Sequence, residues 1–113
     1  MKSKITSLSK NEDFKSILGG KKISNKYLTI FFKNLSNKDY KKLNISFVTK
    51  KKIGNAVNRN KIKRKLRNIT NEAVNKLPIK FNYSYLIIAK NNILKNNYTD
   101  IKEKMFAEFN SIK

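Results

Sequence analysis

Hydrophobic and polar residues follow several different spacings along the chain, and the first of these spacings is helical. From Phe14 to Leu18 apolar residues recur three and four positions apart, after a capping box, Ser9-x-x-Glu12, and before Gly19-Gly20. In a capping box the Ser and Glu side chains satisfy free N–H groups at a helix start, and glycine freely enters the left-handed conformation that ends many helices. The spacing therefore predicts a first helix over residues 9–18.

Two further segments have the composition and spacing of β-strands. The segment 27–33 (YLTIFFK) is rich in aromatic and β-branched residues, and the segment 43–49 (LNISFVT) alternates apolar and polar residues. Such alternation is typical of a half-buried strand, so we expect the second strand to pair antiparallel with the first across the polar loop 34–42. The next segment, 50–54, is compatible with a short third strand or a turn.

The second half of the chain returns to a helical spacing and then to a strand. A helix runs from about Asn58 to the residue before Pro78, because proline ends helices. Its apolar stripe consists of Ile62, Leu66, Ile69, Ala73 and Leu77. The segment 83–89 (YSYLIIA) is an almost continuous apolar run, which predicts a strand covered on both faces. A last helix starts at Thr99, and its apolar face carries Ile101, Met105, Phe109 and Ile112.

The order of these elements, α-β-β-(β)-α-β-α, predicts an α+β sandwich that forms a single domain over residues 1–113. The length of 113 residues and the 39% of hydrophobic residues fit one compact core. Since the chain has no Cys and no His, it has no disulfide, no thiolate nucleophile, no Cys-ligated zinc and no His as general base or metal ligand. It also has no apolar run long enough to span a membrane, and its first residues, 1–5, lack the long apolar stretch of a secretory signal. We expect a soluble cytoplasmic protein.

The charge of the chain calls for a polyanionic partner. It has 27 Lys or Arg against 7 Asp or Glu, a formal net charge of +20. Self-repulsion at this density opposes compaction, and a polyanion relieves it. Nucleic acid is the first candidate and an anionic membrane surface the second. The alternative is a solubilising surface that results from coding bias toward Lys and Asn.

The position of the cations favours nucleic acid over coding bias. Between Asp39 and Glu72 the sequence has no acidic residue, and its only three Arg lie between Arg59 and Arg67. Arg grips phosphate with two parallel hydrogen bonds, whereas Lys offers a point charge. The eleven cations of this acid-free segment are Lys41, Lys42, Lys50, Lys51, Lys52, Arg59, Lys61, Lys63, Arg64, Lys65 and Arg67.

Helical spacing brings many of these cations to one face. Arg59, Lys63 and Arg67 are four residues apart, and Asn60 and Arg64 form the adjoining row. We expect the apolar stripe to anchor the helix while this face points outward. The free N–H groups near the helix start, beside Arg59, also favour phosphate. The alternative is an exposed cationic face without a specific partner.

Aromatic residues supply a second means of binding RNA, whereas the acidic residues form no catalytic pattern. Most aromatic side chains of the first helix and the strands belong to the core, but two or three could stack on unpaired bases if one sheet face stays open. The aromatic set is Phe14, Tyr27, Phe31, Phe32, Phe47, Tyr83 and Tyr85. The seven acids are scattered, and only Glu12 or Asp13 is a candidate for holding a divalent ion, with a helix cap as the alternative role.

One segment closely resembles a known family signature. The string Gly54-Asn55-Ala56-Val57-Asn58-Arg59-Asn60-Lys61-Ile62-Lys63-Arg64-Lys65-Leu66-Arg67 resembles that of the bacterial ribonuclease P protein component. In that family an Arg-Asn-Arg motif precedes Ile-Lys-Arg and a further Arg. The segments 11–14 (NEDF) and 85–89 (YLIIA) resemble its first helix and last strand. The sequence departs from the family pattern at Lys61, where Arg is usual, at Lys50, where a small residue is frequent, and at Leu18, where an aromatic is common.

The resemblance implies a fold, a partner and a site. The fold is α-β-β-β-α-β-α, related to a ribosomal-protein domain, with a left-handed β-α-β crossover. The partners are a catalytic RNA, which binds most of the Mg²⁺ and performs the cleavage, and precursor tRNA, whose single-stranded 5′ leader is removed. No protein partner and no catalytic residue of this chain are implied. The RNA-binding residues would be Lys51, Lys52, Asn55, Arg59, Asn60, Lys61, Lys63, Arg64 and Arg67, and the leader-binding residues Phe14, Lys10 and Asn11.

Three other functions remain open at this point. The composition fits equally well a structural RNA-binding module, such as a ribosomal protein or an assembly factor. A self-sufficient basic nuclease would use Glu12 or Asp13. Sequence-specific DNA binding is disfavoured because no pair of helices with a short turn precedes the cationic helix.

Overall fold

The computed structural model describes residues 5–8, 11–35, 41–95 and 97–112. Five strands form one sheet: β1 (Ile5–Thr6), β2 (Lys21–Ser24), β3 (Leu28–Lys33), β4 (Leu43–Val48) and β5 (Ser84–Ala89). Three α-helices accompany it: α1 (Asn11–Leu18), α2 (Ala56–Lys76) and α3 (Tyr98–Ser111). Two short 3₁₀ turns, Lys51–Ile53 and Asn91–Lys95, precede α2 and α3. The expected α+β architecture is confirmed.

The strand order is β1-β4-β5-β3-β2, with β5 at the centre of the sheet. This strand pairs parallel with β4 and antiparallel with β3. The prediction that the segments 27–33 and 43–49 pair with each other is therefore wrong, because β5 lies between them. The physical reason is the apolar run of β5, which is buried on both faces and so takes the most enclosed position.

The additional strand lies elsewhere than expected. The segment 50–54 forms a 3₁₀ turn that buries Ile53, whereas the extra strand is β2, directly after α1. With β2 counted, the order after β1 is α-β-β-β-α-β-α, as the resemblance implies. The β4-α2-β5 unit is a parallel crossover, and its left hand stays a prediction.

One face of the sheet is covered by α2 and α3. The apolar stripes of both helices pack against alternate residues of the three inner strands and form the larger core. Its fully buried side chains include Ile30, Ile45, Ile87, Leu66, Ile69 and Met105. The predicted stripes of α2 and α3 are confirmed, although Leu77 is only half-buried at the end of α2.

The opposite face of the sheet is only partly covered. A smaller core of Leu8, Ile17, Leu35 and Leu86 lies beneath α1. Phe14, Phe31, Val48 and Ile88 pack around it and are half-buried. This face therefore leaves an open cleft beside α1, with side chains of β3, β4 and β5 as its floor.

The glycine pair after α1 serves close packing and not a left-handed turn. No described residue has a φ in the left-handed region, so the expected left-handed helix end is wrong. A Cβ on Gly20 would lie 2.7 Å from the Phe32 carbonyl oxygen and 2.9 Å from the Lys33 Cβ. Gly20 is thus required because the chain passes close to β3 as it leaves the helix.

Asn side chains start the two long helices. Asn55 Oδ1 accepts a hydrogen bond from Asn58 N–H at 2.9 Å, and Asn97 Oδ1 accepts one from Asp100 N–H at 2.9 Å. The helix α2 therefore begins at Ala56, about half a turn earlier than its apolar spacing indicated. The predicted cap Ser9 lies outside the described residues. None of the described helices is both long and apolar enough to cross a membrane.

Candidate nucleic-acid interface

Burial of one side of α2 directs its cations outward. Ile62, Leu66, Ile69, Thr70 and Ala73 are buried against the sheet and α3. Besides Lys76 at its end, the exposed cations of this helix are Lys61, Lys63, Arg64, Lys65 and Arg67, which we call the α2 arc. At 3.6 residues per turn these positions cover most of the solvent-facing arc of the helix. The helix thus presents a broad cationic surface and not only a single row.

Four polar side chains on this arc enclose a shallow depression. Asn60, Lys63, Arg64 and Arg67 line a cavity of about 220 Å³. The structure thus places the two rows predicted from helical spacing side by side. Two guanidinium groups, one ammonium and one amide around a single depression supply the donors that fit phosphate oxygens.

Arg59 differs from the other cations because it lies at the edge of the buried stripe. Its side chain is half-buried, and Nε is enclosed without an acceptor among the described residues. Its backbone N–H donates to Asn55 O at 3.0 Å. The N–H of Arg59 itself is therefore not free for phosphate, because the Asn55 cap begins the helix one turn before it.

In the described part of the chain, the cations of the α2 arc have no carboxylate partner. The acid of this helix, Glu72, lies five residues beyond Arg67, where its Oε2 is 2.6 Å from Lys102 Nζ. Tyr98 also donates to Glu72 Oε1 at 3.1 Å. The hydrogen bond from Lys102 lowers the pKa of Glu72. Glu72 is thus committed to α3, and the charge of the arc is left for a partner to neutralise.

The open sheet face contains one compartment that adjoins α2. This α2 compartment, of about 290 Å³, is lined by Ser7, Leu8, Phe14, Ser46, Phe47, Val48, Lys63 and Arg67. Lys63 and Arg67 therefore border both the depression on α2 and the cleft beside Phe14. The cationic helix and the open sheet face form one continuous surface.

A second, larger compartment of about 560 Å³ lies on the same sheet face. This lysine compartment is lined by Lys26, Thr29, Phe31, Lys50, Lys52, Ile88, Ala89, Lys90, Asn91 and Asn92. Val48 of the α2 compartment pairs in register with Ile88 of the lysine compartment. Since paired residues on neighbouring strands are about 5 Å apart, the two compartments are contiguous.

The lysine compartment was not predicted from the sequence. Of its four lysines only Lys52 belongs to the predicted RNA-binding set. Lys26 lies in the turn between β2 and β3, Lys50 follows β4, and Lys90 follows β5. No single segment carries a pattern that joins them. The register of the sheet would have been needed to find this site.

Other predicted site residues have separate places. Lys51 is exposed on the first 3₁₀ turn, and Asn55 is the cap of α2. Lys61 lies on the other flank of α2, where with Lys65 it borders a small apolar pocket of about 60 Å³. Asn11 begins α1, and Lys10 lies outside the described residues. Contact of these residues with RNA stays a prediction.

The aromatic set divides between the two faces of the sheet. Tyr27, Phe32 and Tyr85 are buried in the larger core, and Phe47 and Tyr83 pack against it. Phe14 and Phe31 line the cleft and are half-buried. Phe47 also lines the α2 compartment, so three aromatic side chains border the cleft where the open-face hypothesis needs them.

The described residues include no group of three acidic, His or Cys side chains placed to hold a metal ion. Asp13 is only 6% exposed, and Glu12 beside it is exposed on the first turn of α1.

The fold and the site together define a small basic α+β protein of the nucleic-acid-binding class. The family model for ribonuclease P matches residues 2–113. The ribonuclease P protein component of Fusobacterium nucleatum is 35% identical over 115 residues, covering 96% of this chain and 98% of the relative. That of Mesoplasma florum is 31% identical over 98 residues, covering 87% and 86%.

Solved structures show the same likeness. The ribonuclease P protein from Thermotoga maritima superposes with a TM-score of 0.80 at 26% identity, covering 96% of this chain and 98% of that one. The Staphylococcus aureus protein superposes with a TM-score of 0.78 at 26% identity, covering 94% and 95%. The chain belongs to the ribonuclease P protein family, and it is a protein component of a ribonuclease.

Proposed function

We propose that this chain binds the catalytic RNA of ribonuclease P and the single-stranded 5′ leader of precursor tRNA, and thereby promotes removal of the leader. The observation that carries the proposal is the position of Lys63 and Arg67, which border both the α2 depression and the cleft beside Phe14. Because the depression on α2 and the cleft share these two residues, the protein can hold two RNA strands next to each other. Family membership supports the catalytic RNA as one of the two.

The two surfaces suit different kinds of RNA contact. The α2 arc offers guanidinium and ammonium groups on a rigid helix, which suits phosphates of a folded RNA. The sheet cleft offers half-buried rings at Phe14 and Phe31, which suit unstacked bases of a single strand. We therefore assign the catalytic RNA to α2 and the leader to the cleft.

In this proposal the catalytic RNA supplies the cleavage chemistry and holds the Mg²⁺. The described residues offer no cluster of metal ligands, so this chain acts by charge and position. The cations of α2 reduce repulsion where RNA phosphates of substrate and catalyst come together. This role places the protein in the cytoplasm with its RNA and requires no second protein.

Reconstitution with the cognate RNA tests the proposal. At a Mg²⁺ concentration that barely supports cleavage by RNA alone, adding the protein should raise the rate of leader removal. A protein with Arg64→Ala and Arg67→Ala should stimulate less, whereas Lys104→Ala, on exposed α3 surface behind the sheet, should act like the unchanged protein. Absence of any stimulation by the unchanged protein would contradict the proposal.

Two other functions give different results in simple experiments. A structural RNA-binding module would co-purify with ribosomal RNA and not with the catalytic RNA. A self-sufficient nuclease would cleave precursor tRNA without added RNA and lose this activity on replacement of Glu12 or Asp13.

A further inference from the structure

The lysine compartment has a higher density of positive charge than a passing RNA strand needs. Lys26, Lys50, Lys52 and Lys90 surround it, and its lining contains no Asp or Glu among the described residues. Single-stranded RNA brings one negative charge per phosphate, whereas four lysines line this open groove of about 560 Å³. Four ammonium groups therefore exceed the charge of an internal nucleotide several-fold.

Two of the four lysines have defined positions. Lys90 Nζ donates to Ser24 Oγ at 2.7 Å and to Asn25 O at 2.6 Å, and Lys90 N–H donates to Tyr27 O at 2.8 Å. These bonds attach the turn between β2 and β3 to the end of β5. Lys26 projects from this turn, with Nζ 5.0 Å from the centroid of the Tyr27 ring.

The other two lysines complete the opposite wall. Lys50 and Lys52 are exposed and lie at the end of β4 and in the following 3₁₀ turn. Thr29, Phe31 and Ile88 form the floor between the two walls. The compartment thus combines a half-buried aromatic ring with lysine side chains in both walls.

We propose that the lysine compartment binds the 5′-terminal triphosphate of an unprocessed leader, with the first base against Phe31. This inference rests on the proposed function, because it takes the leader as the strand in the cleft. A terminal triphosphate carries roughly three to four negative charges on one nucleotide, which matches the ammonium groups better than one phosphodiester does. Lysines suit it because their point charges adapt to a flexible polyphosphate, whereas the planar Arg fork suits single phosphates.

The position of the compartment adds a length requirement. It adjoins the α2 compartment through the Val48 and Ile88 pair, so a leader reaches it after crossing a fixed stretch of the cleft. Only leaders of one narrow length range place their first nucleotide there. Shorter leaders end before the lysines, and longer ones pass an internal phosphate across them.

The experiment compares precursor tRNAs of graded leader length, each with a 5′-triphosphate or a 5′-hydroxyl, bound by the reconstituted ribonucleoprotein. At one leader length the triphosphate should tighten binding by roughly five- to tenfold. The dependence of affinity on salt should also become steeper by about one to two units. Lys50→Ala with Lys52→Ala should bring the ratio close to one, whereas Lys104→Ala should leave it unchanged.

Three results would overturn the inference. The first is equal affinity for both 5′ ends at every leader length, while the protein still stimulates cleavage; the proposed function then stands. The second is a triphosphate preference that Lys50→Ala and Lys52→Ala do not alter. The third is competition by free GTP without any effect of the leader terminus, which would assign the compartment to a free nucleotide. Loss of all stimulation would instead contradict the proposed function.

Discussion

The three guanidinium groups of α2 differ in their exposure to solvent. Arg64 and Arg67 are exposed and border the depression on the helix, whereas Arg59 is half-buried with Nε enclosed. An exposed Arg contributes to RNA binding by neutralising phosphate, so its effect is sensitive to salt. Arg64 is the better test of phosphate contact, because its loss leaves the core of the protein unchanged.

Arg64→Ala should weaken binding to the catalytic RNA and reduce the slope of log affinity against log salt by about one unit. The measurement is a titration at several KCl concentrations. Arg64→Lys is the matched control, since it keeps the charge and should keep the slope while losing the paired hydrogen bonds. An unchanged slope in Arg64→Ala would mean that this side chain does not meet phosphate.

Phe14 should act on the leader and not on the tRNA body. Phe14→Ala should weaken binding of leader-containing precursor by about 1–3 kcal/mol, the usual value for one stacked base, and leave binding of mature tRNA nearly unchanged. Phe14→Leu controls for packing, because it fills the same part of the smaller core without a flat ring. Equal loss for precursor and mature tRNA would assign Phe14 to the core alone.

At the scale of single elements, the junction between α1 and β2 depends on one glycine of a pair. A Cβ at Gly20 would meet β3 backbone at 2.7 Å, whereas a Cβ at Gly19 would lie 3.5 Å from the Ser16 carbonyl oxygen, an ordinary contact. The two positions thus differ in space and not in backbone handedness. Adjacent residues of the same type therefore have different roles.

Gly20→Ala should lower the free energy of unfolding by about 1–3 kcal/mol, because α1 and β3 must move apart. Gly19→Ala should be neutral or stabilise by up to about 1 kcal/mol, since alanine restricts the unfolded chain. Urea unfolding of both variants gives the comparison. Equal stability of the two variants would show that the chain relaxes around Gly20 without cost.

Elements with strong periodicity were predictable, and those defined by pairing were not. The stripe of α2 and the apolar run of β5 depend on side chains within one segment, and both predictions are confirmed. β2 (KKIS) has one apolar residue and lies at the sheet edge, so it has little pattern to recognise. Which strand pairs with β4 depends on which strand takes the central position of the sheet. The residue spacing within a single segment does not contain this information.

The site divides in the same way. The cations of α2 were predicted because helical spacing alone brings them together. The lysine compartment takes residues from three separate stretches of the chain, 26–31, 50–52 and 88–92, and the α2 compartment joins α1, β4 and α2. Such sites depend on the register of strands, which is a property of the assembled sheet.

At the scale of the whole molecule, charge opposes folding of the RNA-free protein. A net charge of +20 on 113 residues produces self-repulsion, which salt screens over about 10 Å at 0.1 M. The melting temperature of the isolated protein should therefore rise with KCl. A gain of about 1 kcal/mol corresponds to roughly 4 °C for a chain of this size.

Calorimetry at low and high KCl gives this measurement. A variant with Lys76→Glu and Lys104→Glu, both on exposed surface away from the cleft, lowers the net charge and should respond less to salt. A melting temperature that does not change with KCl in the unchanged protein would show that repulsion has little effect on its stability.

The central position of β5 has a consequence for synthesis on the ribosome. Without this strand the sheet separates into β1 with β4 and β3 with β2, two ribbons that share no ladder. As the chain emerges from its amino end, all of α2 leaves the exit tunnel before Ser84 to Ala89 can insert between these ribbons. The basic helix α2 is therefore exposed to the RNA of the ribosome surface before the cleft beside α1 has formed. Only the insertion of β5 completes the sheet and places the cations of α2 next to that cleft.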